Sequence, residues 1–180
     1  VLGLTAPSIN AVLENLRHTV SLFARDQLAP AAFLEQLGTM LEFLNTRATR
    51  LLAQTGSGPR KTLAQLKGAF QPPFAFVPIM EGDDDSVRLV TTNACVMKKA
   101  IPPIAYSAKQ LVPFDKWDAL CQLFGIRREP DENMLANGLR RLCADYSDAP
   151  LPATALEAVR RTLVLLADCQ PSRTADFMIP

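Results

Sequence analysis

Apolar residues recur at helical spacing over most of the first fifty positions of the chain. Residues 8–25 carry an apolar side chain every three or four positions, and Ser8 is placed to cap the amino terminus of this segment. The same period runs through residues 30–53, where Pro30 suits the first helical turn because no backbone donor is lost there. Since only a short connection joins the two segments, we expect an antiparallel helical hairpin over residues 8–53.

The pattern changes in the middle of the chain. After a loop rich in Gly and Ser, residues 63–70 keep the helical period for one or two further turns. Residues 74–79 and 87–97 are then rich in β-branched and aromatic residues, and the acidic stretch 81–85 between them is typical of a turn. Residues 74–106 are therefore predicted to form the strand-containing part of the fold.

Residues 113–168 return to the helical period and predict three helices. Gly125 is placed to end the first helix in the left-handed conformation. The second helix is expected to begin near Pro130, and the third to span 153–168. The residues expected to face inward are Met134, Leu135, Leu139, Leu142 and Cys143 in the second helix, and Leu156, Val159, Leu163 and Leu166 in the third.

These elements predict an α+β fold that is predominantly helical, with a small antiparallel or mixed sheet. The chain has 180 residues, of which 48% are hydrophobic and 21% charged, so it can bury a full core and is not intrinsically disordered. It begins without methionine and ends on an apolar run, residues 177–179, that predicts a closing strand. We expect residues 1–180 to be a single domain and a fragment of a larger protein.

The charge balance gives nucleic-acid binding no support. Lys and Arg number 19 against 18 Asp and Glu, for a formal net charge of +1, whereas phosphate-binding domains usually carry a basic excess or stripe. The basic doublets are scattered along the sequence, at 98–99, 127–128, 140–141 and 160–161. No apolar stretch approaches the roughly 18 residues that span a bilayer, so no membrane partner is expected.

The four cysteines, Cys95, Cys121, Cys143 and Cys169, are too widely spaced for a metal knuckle, which draws two close ligands from one turn. We expect reduced thiols in a cytoplasmic protein, with a secreted, disulfide-bonded protein as the alternative. Cys121 lies near Trp117 and Phe124 and is predicted to be buried, with a raised pKa.

No set of residues in the sequence forms a catalytic signature. His18, the single histidine, lies off the apolar stripe of its helix and is predicted to be exposed. The loop at 56–62 lacks the glycines of a phosphate-binding loop, and the acids at 81–85 lack the alternating ligands and distal glutamate of a calcium loop. We therefore assign no catalytic, cofactor-binding or metal-binding residue, and no cofactor.

The aromatic residues of the second half are explained by core packing. The alternative is that part of this apolar material is exposed and binds a partner. Pro102, Pro103, Ile104 and Tyr106 form an extended segment that is the candidate partner-binding surface under this alternative.

One sequence of motifs in the second half is similar to a known family. Its parts are Phe74-Ala75-Phe76-Val77-Pro78, Pro102-Pro103-Ile104-Ala105-Tyr106, Leu111-Val112-Pro113, and the segment 117–126, which ends in Phe124-Gly125-Ile126. This order resembles the later, non-ATPase part of the repeats of sacsin and sacsin-like giant proteins, although Phe stands where the family has Trp in the first strand. The resemblance implies a cytosolic scaffold or co-chaperone role and assigns no catalytic residue.

The sequence therefore predicts a non-catalytic structural or interaction module of a large multidomain protein, of the scaffold or co-chaperone type. Its expected partners are proteins, either neighbouring domains of the parent chain or separate molecules. One alternative is a small hydrolase or transferase domain that uses Asp83, Asp84 and Asp85 with a metal, or Cys95 as nucleophile. A second alternative is a viral or pathogen protein-interaction domain.

Overall fold

A computed structural model describes residues 7–81 and 86–168 of the chain. Its helices are α1 (Ile9–Ala24), α2 (Pro30–Leu52), α3 (Ser57–Ala69), α4 (Asp118–Phe124), α5 (Glu132–Asp145) and α6 (Ala153–Asp168). Its strands are β1 (Val77–Glu81), β2 (Ser86–Val90), β3 (Cys95–Val96) and β4 (Tyr106–Ser107). The described residues thus form an α+β fold that is predominantly helical, which confirms the predicted fold class.

Helices α1 and α2 form the predicted antiparallel hairpin. The rings of Phe23 and Phe33 stack close to the connection, with centroids 4.2 Å apart. Farther from the connection, the Thr19 hydroxyl donates a hydrogen bond of 3.4 Å to Gln36 Oε1. Ser8 caps α1 as expected, since its side chain accepts a hydrogen bond from the backbone N–H of Ala11.

The strands form two short pairs in place of one continuous sheet. β1 pairs with β2 in antiparallel register, from Val77 opposite Val90 to Glu81 opposite Ser86. β3 pairs with β4 in parallel, with Cys95 opposite Tyr106. The predicted strand region 87–97 therefore contains β2 and β3, and the prediction was wrong at residues 91–94, which separate the two strands. The predicted closing strand at 177–179 and most of the acidic turn lie outside the described residues.

The break after β2 has a local cause. The backbone N–H of Ala94 donates to the Thr91 carbonyl over 3.0 Å, which closes a turn of 3₁₀-helix at Thr92–Ala94. Thr91 Oγ1 also donates a hydrogen bond to the side-chain oxygen of Asn93. Such local bonds compete with a strand ladder for the same backbone, so β-prone composition did not produce a longer strand.

A large core joins α1–α4 to the β1–β2 pair. Phe70, Phe76 and Phe124 meet at its centre, where the Phe70 and Phe124 rings are 4.2 Å apart and the Phe76 and Phe124 rings 5.5 Å apart. Phe114 and Trp117 pack edge to face at 5.5 Å. The aromatic residues of this region are thus core residues, as the sequence indicated.

A second, smaller core lies between α5, α6 and the segment that precedes β4. Its buried members are Ile101, Ile104, Leu135, Leu142, Ala155 and Ala158. Gly138 of α5 is buried and passes so close to Ile104 that a β-carbon there would lie 2.8 Å from the Ile104 carbonyl oxygen. None of the helices in the described parts of the chain combines the length and the apolar character that crossing a bilayer requires.

The inward faces of the last two helices agree only in part with the predicted ones, since Leu139 on α5 and Val159 and Leu166 on α6 pack against the smaller core as expected. On α5, Cys143 is exposed. On α6, Leu156 and Leu163 are exposed, and the buried residues are Ala155, Ala158 and Thr162. Apolar residues cover more than half of the α6 circumference, so its periodicity alone did not select one orientation. The small alanine side chains allow α6 to approach α5, and Leu156 and Leu163 are turned outward.

Candidate protein-interaction surface

The segment predicted as a partner-binding surface is mostly part of the core. Pro102 is exposed and Pro103 half-buried, but Ile104 and Tyr106 are buried. The segment is a turn, in which the Ile101 N–H donates to the Ala105 carbonyl over 2.8 Å. This corrects the prediction for Ile104 and Tyr106, because an apolar side chain already buried inside the protein cannot contact a partner.

The thiols of the large core are not suited to nucleophilic chemistry. Cys95 is fully buried, and its Sγ lies 3.5 Å from the Thr91 carbonyl oxygen, to which it donates. Burial raises the pKa of Cys95 from 9.0 to about 12, which the nearby Arg141 guanidinium only partly opposes. Reactive cysteines are accessible and have a lowered pKa, so the burial and raised pKa of Cys95 argue against its use as a nucleophile.

Cys121 follows its sequence prediction in pKa, although it is half-buried rather than buried. Burial raises its pKa to about 11, and the carboxylates of Asp118 and Asp115 act in the same direction. Its Sγ donates to the Phe114 carbonyl over 3.2 Å. His18 lies exposed on α1, as predicted.

The acidic residues proposed for metal chemistry, Asp83, Asp84 and Asp85, lie outside the described residues. Among residues 7–81 and 86–168, no group of three or more His, Cys, Asp or Glu side chains is placed to hold a metal ion. Asp131, at the start of α5, has a structural role. Its side chain accepts a hydrogen bond of 2.9 Å from the Met134 N–H, and it forms an ion pair with Arg127.

A groove of about 400 Å³ opens between α6 and the segment before the turn at Ile101. Lys99 and Ile101 form one wall; α6 forms the other with Glu157, Arg160, Arg161, Val164 and Leu165. Lys99 has a φ of 53°, in the left-handed region that few residues other than glycine adopt. The lining of the groove is thus partly apolar, and its charged side chains, which form the rim, are three cations and one carboxylate. We call it the α6 groove.

The structure brings three basic doublets to this side of the molecule. Hydrogen bonds of 2.9 and 2.8 Å join the N–H groups of Met97 and Lys98 to the carbonyls of Arg127 and Arg128. The 98–99 doublet therefore lies beside the 127–128 doublet, and Lys99 shares the α6 groove with the 160–161 doublet. The basic doublets are scattered along the sequence, but the fold brings these three together on one side of the molecule.

The cations of this surface differ in their partners. Lys99 forms an ion pair of 3.0 Å with Glu129, and both side chains are largely exposed. Arg160 and Arg161 form no ion pair with any of the residues that the structure describes. Both arginines are exposed on α6, so their guanidinium groups can pair with anionic groups of another molecule.

The solvent-facing side of α6 is unusually apolar. Leu156, Leu163 and Val164 are 47%, 53% and 61% exposed. Leu156 and Leu163 are two turns apart on one face, and Val164 lies farther round the helix, in the groove. Over the described residues one other large apolar side chain is comparably exposed, Leu52 at 43%. Exposed apolar residues concentrated on one element are typical of a binding surface.

A second cleft, of about 330 Å³, lies between α1 and α3. Its lining is more polar and includes Asn10, Glu14, Arg17 and Gln65. The Gln65 side-chain amide donates a hydrogen bond of 3.0 Å to Asn10 Oδ1, which ties the two helices together. Because Asn10 and Gln65 already bond each other across the cleft, this site offers less to a partner than the α6 groove does.

Sequence reasoning missed the α6 surface, although one signal for it was present. The apolar pattern at 156, 159, 163 and 166 has alternating spacings of three and four, which is the spacing of a helix–helix contact seam. The pattern was assigned to the core, whereas half of it faces solvent. The groove itself had no sequence signal, because its two walls lie about sixty positions apart.

No family profile matches the chain, and comparison with curated proteins and with solved structures finds no significant similarity.

Proposed function

We propose that this chain is a non-catalytic protein-interaction module that binds a segment of another protein through the exposed face of α6. The observation that carries the proposal is the concentration of exposed apolar side chains on this helix: Leu156, Leu163 and Val164. Burying such side chains against a partner removes apolar surface from water, which stabilises the complex by about 25 cal/mol per Å² of surface removed.

The environment of Cys95 supports an interaction role over the cysteine-dependent enzymatic alternative. The Cys95 thiol is buried and has a raised pKa, and His18 is exposed on a helix without a catalytic partner among the described residues. The proposal includes the scaffold or co-chaperone role that the resemblance to sacsin-like repeats implies.

The test is selection of a random peptide library displayed on phage against the 180-residue chain. Enriched peptides are expected to lose binding to the variants Leu156→Ser and Leu163→Ser. Leu52→Ser is the matched control, because Leu52 is similarly exposed but lies at the end of α2. Failure to enrich any peptide, or equal loss of binding with Leu52→Ser, would overturn the proposal.

A further inference from the structure

The α6 groove carries a charge pattern that specifies its partner more closely than exposed leucines do. Three cations, Lys99, Arg160 and Arg161, surround one carboxylate, Glu157. The two arginines have no ion-pair partner among the described residues. Opposite charge on a partner would therefore meet guanidinium groups that form no ion pair within the described part of the chain, while apolar side chains would enter the groove beside Val164 and Leu165.

Resting on the proposed function, we propose that the α6 groove binds an acidic, amphipathic segment of another protein. Apolar side chains of the segment contact Val164 and Leu165, which are accessible in the groove, and its carboxylates pair with Arg160 and Arg161. Arginine suits this role because its planar fork can donate two parallel hydrogen bonds to one carboxylate. Lys98 and Arg128 extend the positive surface beyond the groove, which helps to attract an acidic segment before it docks.

The size and lining of the groove favour a peptide over a nucleic acid. A volume of about 400 Å³ is in the range of sites that enclose a small ligand or the side chains of a bound segment. Single-stranded nucleic acid is usually bound by exposed aromatic residues on which bases stack, and none of the described residues that line this groove is aromatic.

The experiment uses a fluorescent peptide of about 20 residues in which Leu recurs at helical spacing and the other positions are mostly Glu. One control peptide replaces Glu with Lys, and another replaces Leu with Ser. The full chain is expected to bind the Leu/Glu peptide and neither control. Added salt is expected to weaken binding, since the charges at the rim are exposed to solvent.

The decisive variant is Arg160→Glu together with Arg161→Glu. We expect it to weaken binding of the Leu/Glu peptide roughly tenfold or more, and to bind the Leu/Lys peptide instead. The matched control is Arg60→Glu with Lys61→Glu, an exposed basic doublet on α3 that makes the same change in net charge away from the groove. Circular dichroism of each variant confirms that it is folded.

The inference would be overturned if the two double variants had equal effects on binding of the Leu/Glu peptide, or if a duplex or single-stranded DNA oligonucleotide displaced the peptide. It would also be overturned if the Leu/Glu peptide bound only after residues 171–180 were deleted. The last outcome would assign the groove to the chain's own carboxyl-terminal segment. A concentration-dependent dimer that excludes the peptide would assign it to a second copy.

The failure of this inference is distinguishable from failure of the proposed function. If library peptides depend on Leu163 but are not acidic, and reversal of Arg160 and Arg161 leaves their affinity unchanged, the interaction role stands and the acidic partner is wrong. If no library peptide binds and the Leu/Glu peptide does not bind either, both are wrong.

Discussion

Three glycines differ in backbone conformation and in the space around them, so substitutions at these positions distinguish the effect of backbone strain from the effect of steric contact. Gly125 ends α4 with a φ of 68°, and the Ile126 N–H donates to the Cys121 carbonyl over 3.0 Å to close the helix. A β-carbon there would meet no atom within 4 Å. At Gly138 the backbone is helical, but a β-carbon would crowd Ile104. Gly38, within α2, has neither constraint.

The same substitution is therefore expected to have opposite effects at these positions. Gly125→Ala should lower the free energy of unfolding by about 1–2 kcal/mol through strain in the left-handed conformation. Gly138→Ala should lower it by about 1–3 kcal/mol through overpacking. Gly38→Ala should raise it by about 1 kcal/mol, since alanine is the better helix former. Urea unfolding of the three variants measures these changes, and a stabilised Gly138→Ala would contradict the close contact with Ile104.

The buried thiols predict a loss of stability at high pH. Burial raises the pKa of Cys95 from 9.0 to about 12, so the unfolded chain releases this proton first. The contribution of the protonated thiol to folding is complete below pH 9 and is lost as the pH rises toward 12. In urea unfolding over this range, Cys95→Ala should lose less stability than the unmodified chain. Cys143→Ala is the control and should keep the original slope, because Cys143 is exposed.

At the scale of elements, α6 has one face made of small buried residues and another made of large exposed ones. Ala155 and Ala158 are 2% and 3% exposed and pack in the smaller core. Thr162, also buried, satisfies its hydroxyl by donating to the Ala158 carbonyl over 2.8 Å. The orientation of the helix is thus set by close approach to α5 and not by the burial of its largest side chains.

This orientation makes a prediction that runs against hydrophobicity. Ala158→Leu should lower the free energy of unfolding by about 1–3 kcal/mol, because the added atoms have no space beside α5. Leu156→Ala should change it by about 0.5 kcal/mol or less, because Leu156 is 47% exposed and does not belong to the smaller core. Thermal and urea unfolding measure both variants. The reverse order of effects would mean that α6 packs with its leucines inward.

On the scale of the whole molecule, the described residues form a large core and a smaller one, and a third cluster of Val96, Ala105 and Met134 lies along the segment 95–107 between them. The large core contains α1–α4 and the β1–β2 pair, whereas α6 packs mainly against α5. An element held by fewer buried side chains opens at lower free energy than one in the main core. A binding surface on α6 thus lies on the less strongly held part of the fold.

Hydrogen exchange should show this difference in stability. The central amides of α6, at residues 159–162, are expected to exchange at least about tenfold faster than those of α2 at residues 41–44. Exchange measured by mass spectrometry or NMR under native conditions checks the prediction. Equal protection in the two helices would show that both cores open as one unit. The Leu/Glu peptide, if it binds as proposed, should slow exchange in α6 and leave α2 unchanged.

Much of the secondary structure was predictable because it depends on neighbours in sequence. The period of α1 and α2, the Ser8 cap and the Gly125 terminus are local features, and the structure confirms each of them. The strand prediction at 87–97 was partly wrong because local hydrogen bonds at Thr91 stop the ladder. The alternative that placed Ile104 and Tyr106 on the surface was wrong because burial depends on what packs against a segment, which residue type does not show.

The sequence by itself determined that this chain folds as a mostly helical α+β protein with its aromatic residues inside, since helical period, caps and apolar content act over a few residues. Only the tertiary structure decided which face of α6 is buried and which basic doublets lie together. Lys99, Arg128 and Arg160 become neighbours through backbone pairing and helix packing between distant segments. Such contacts depend on how the elements fit together in space, and that fit is what creates the α6 groove.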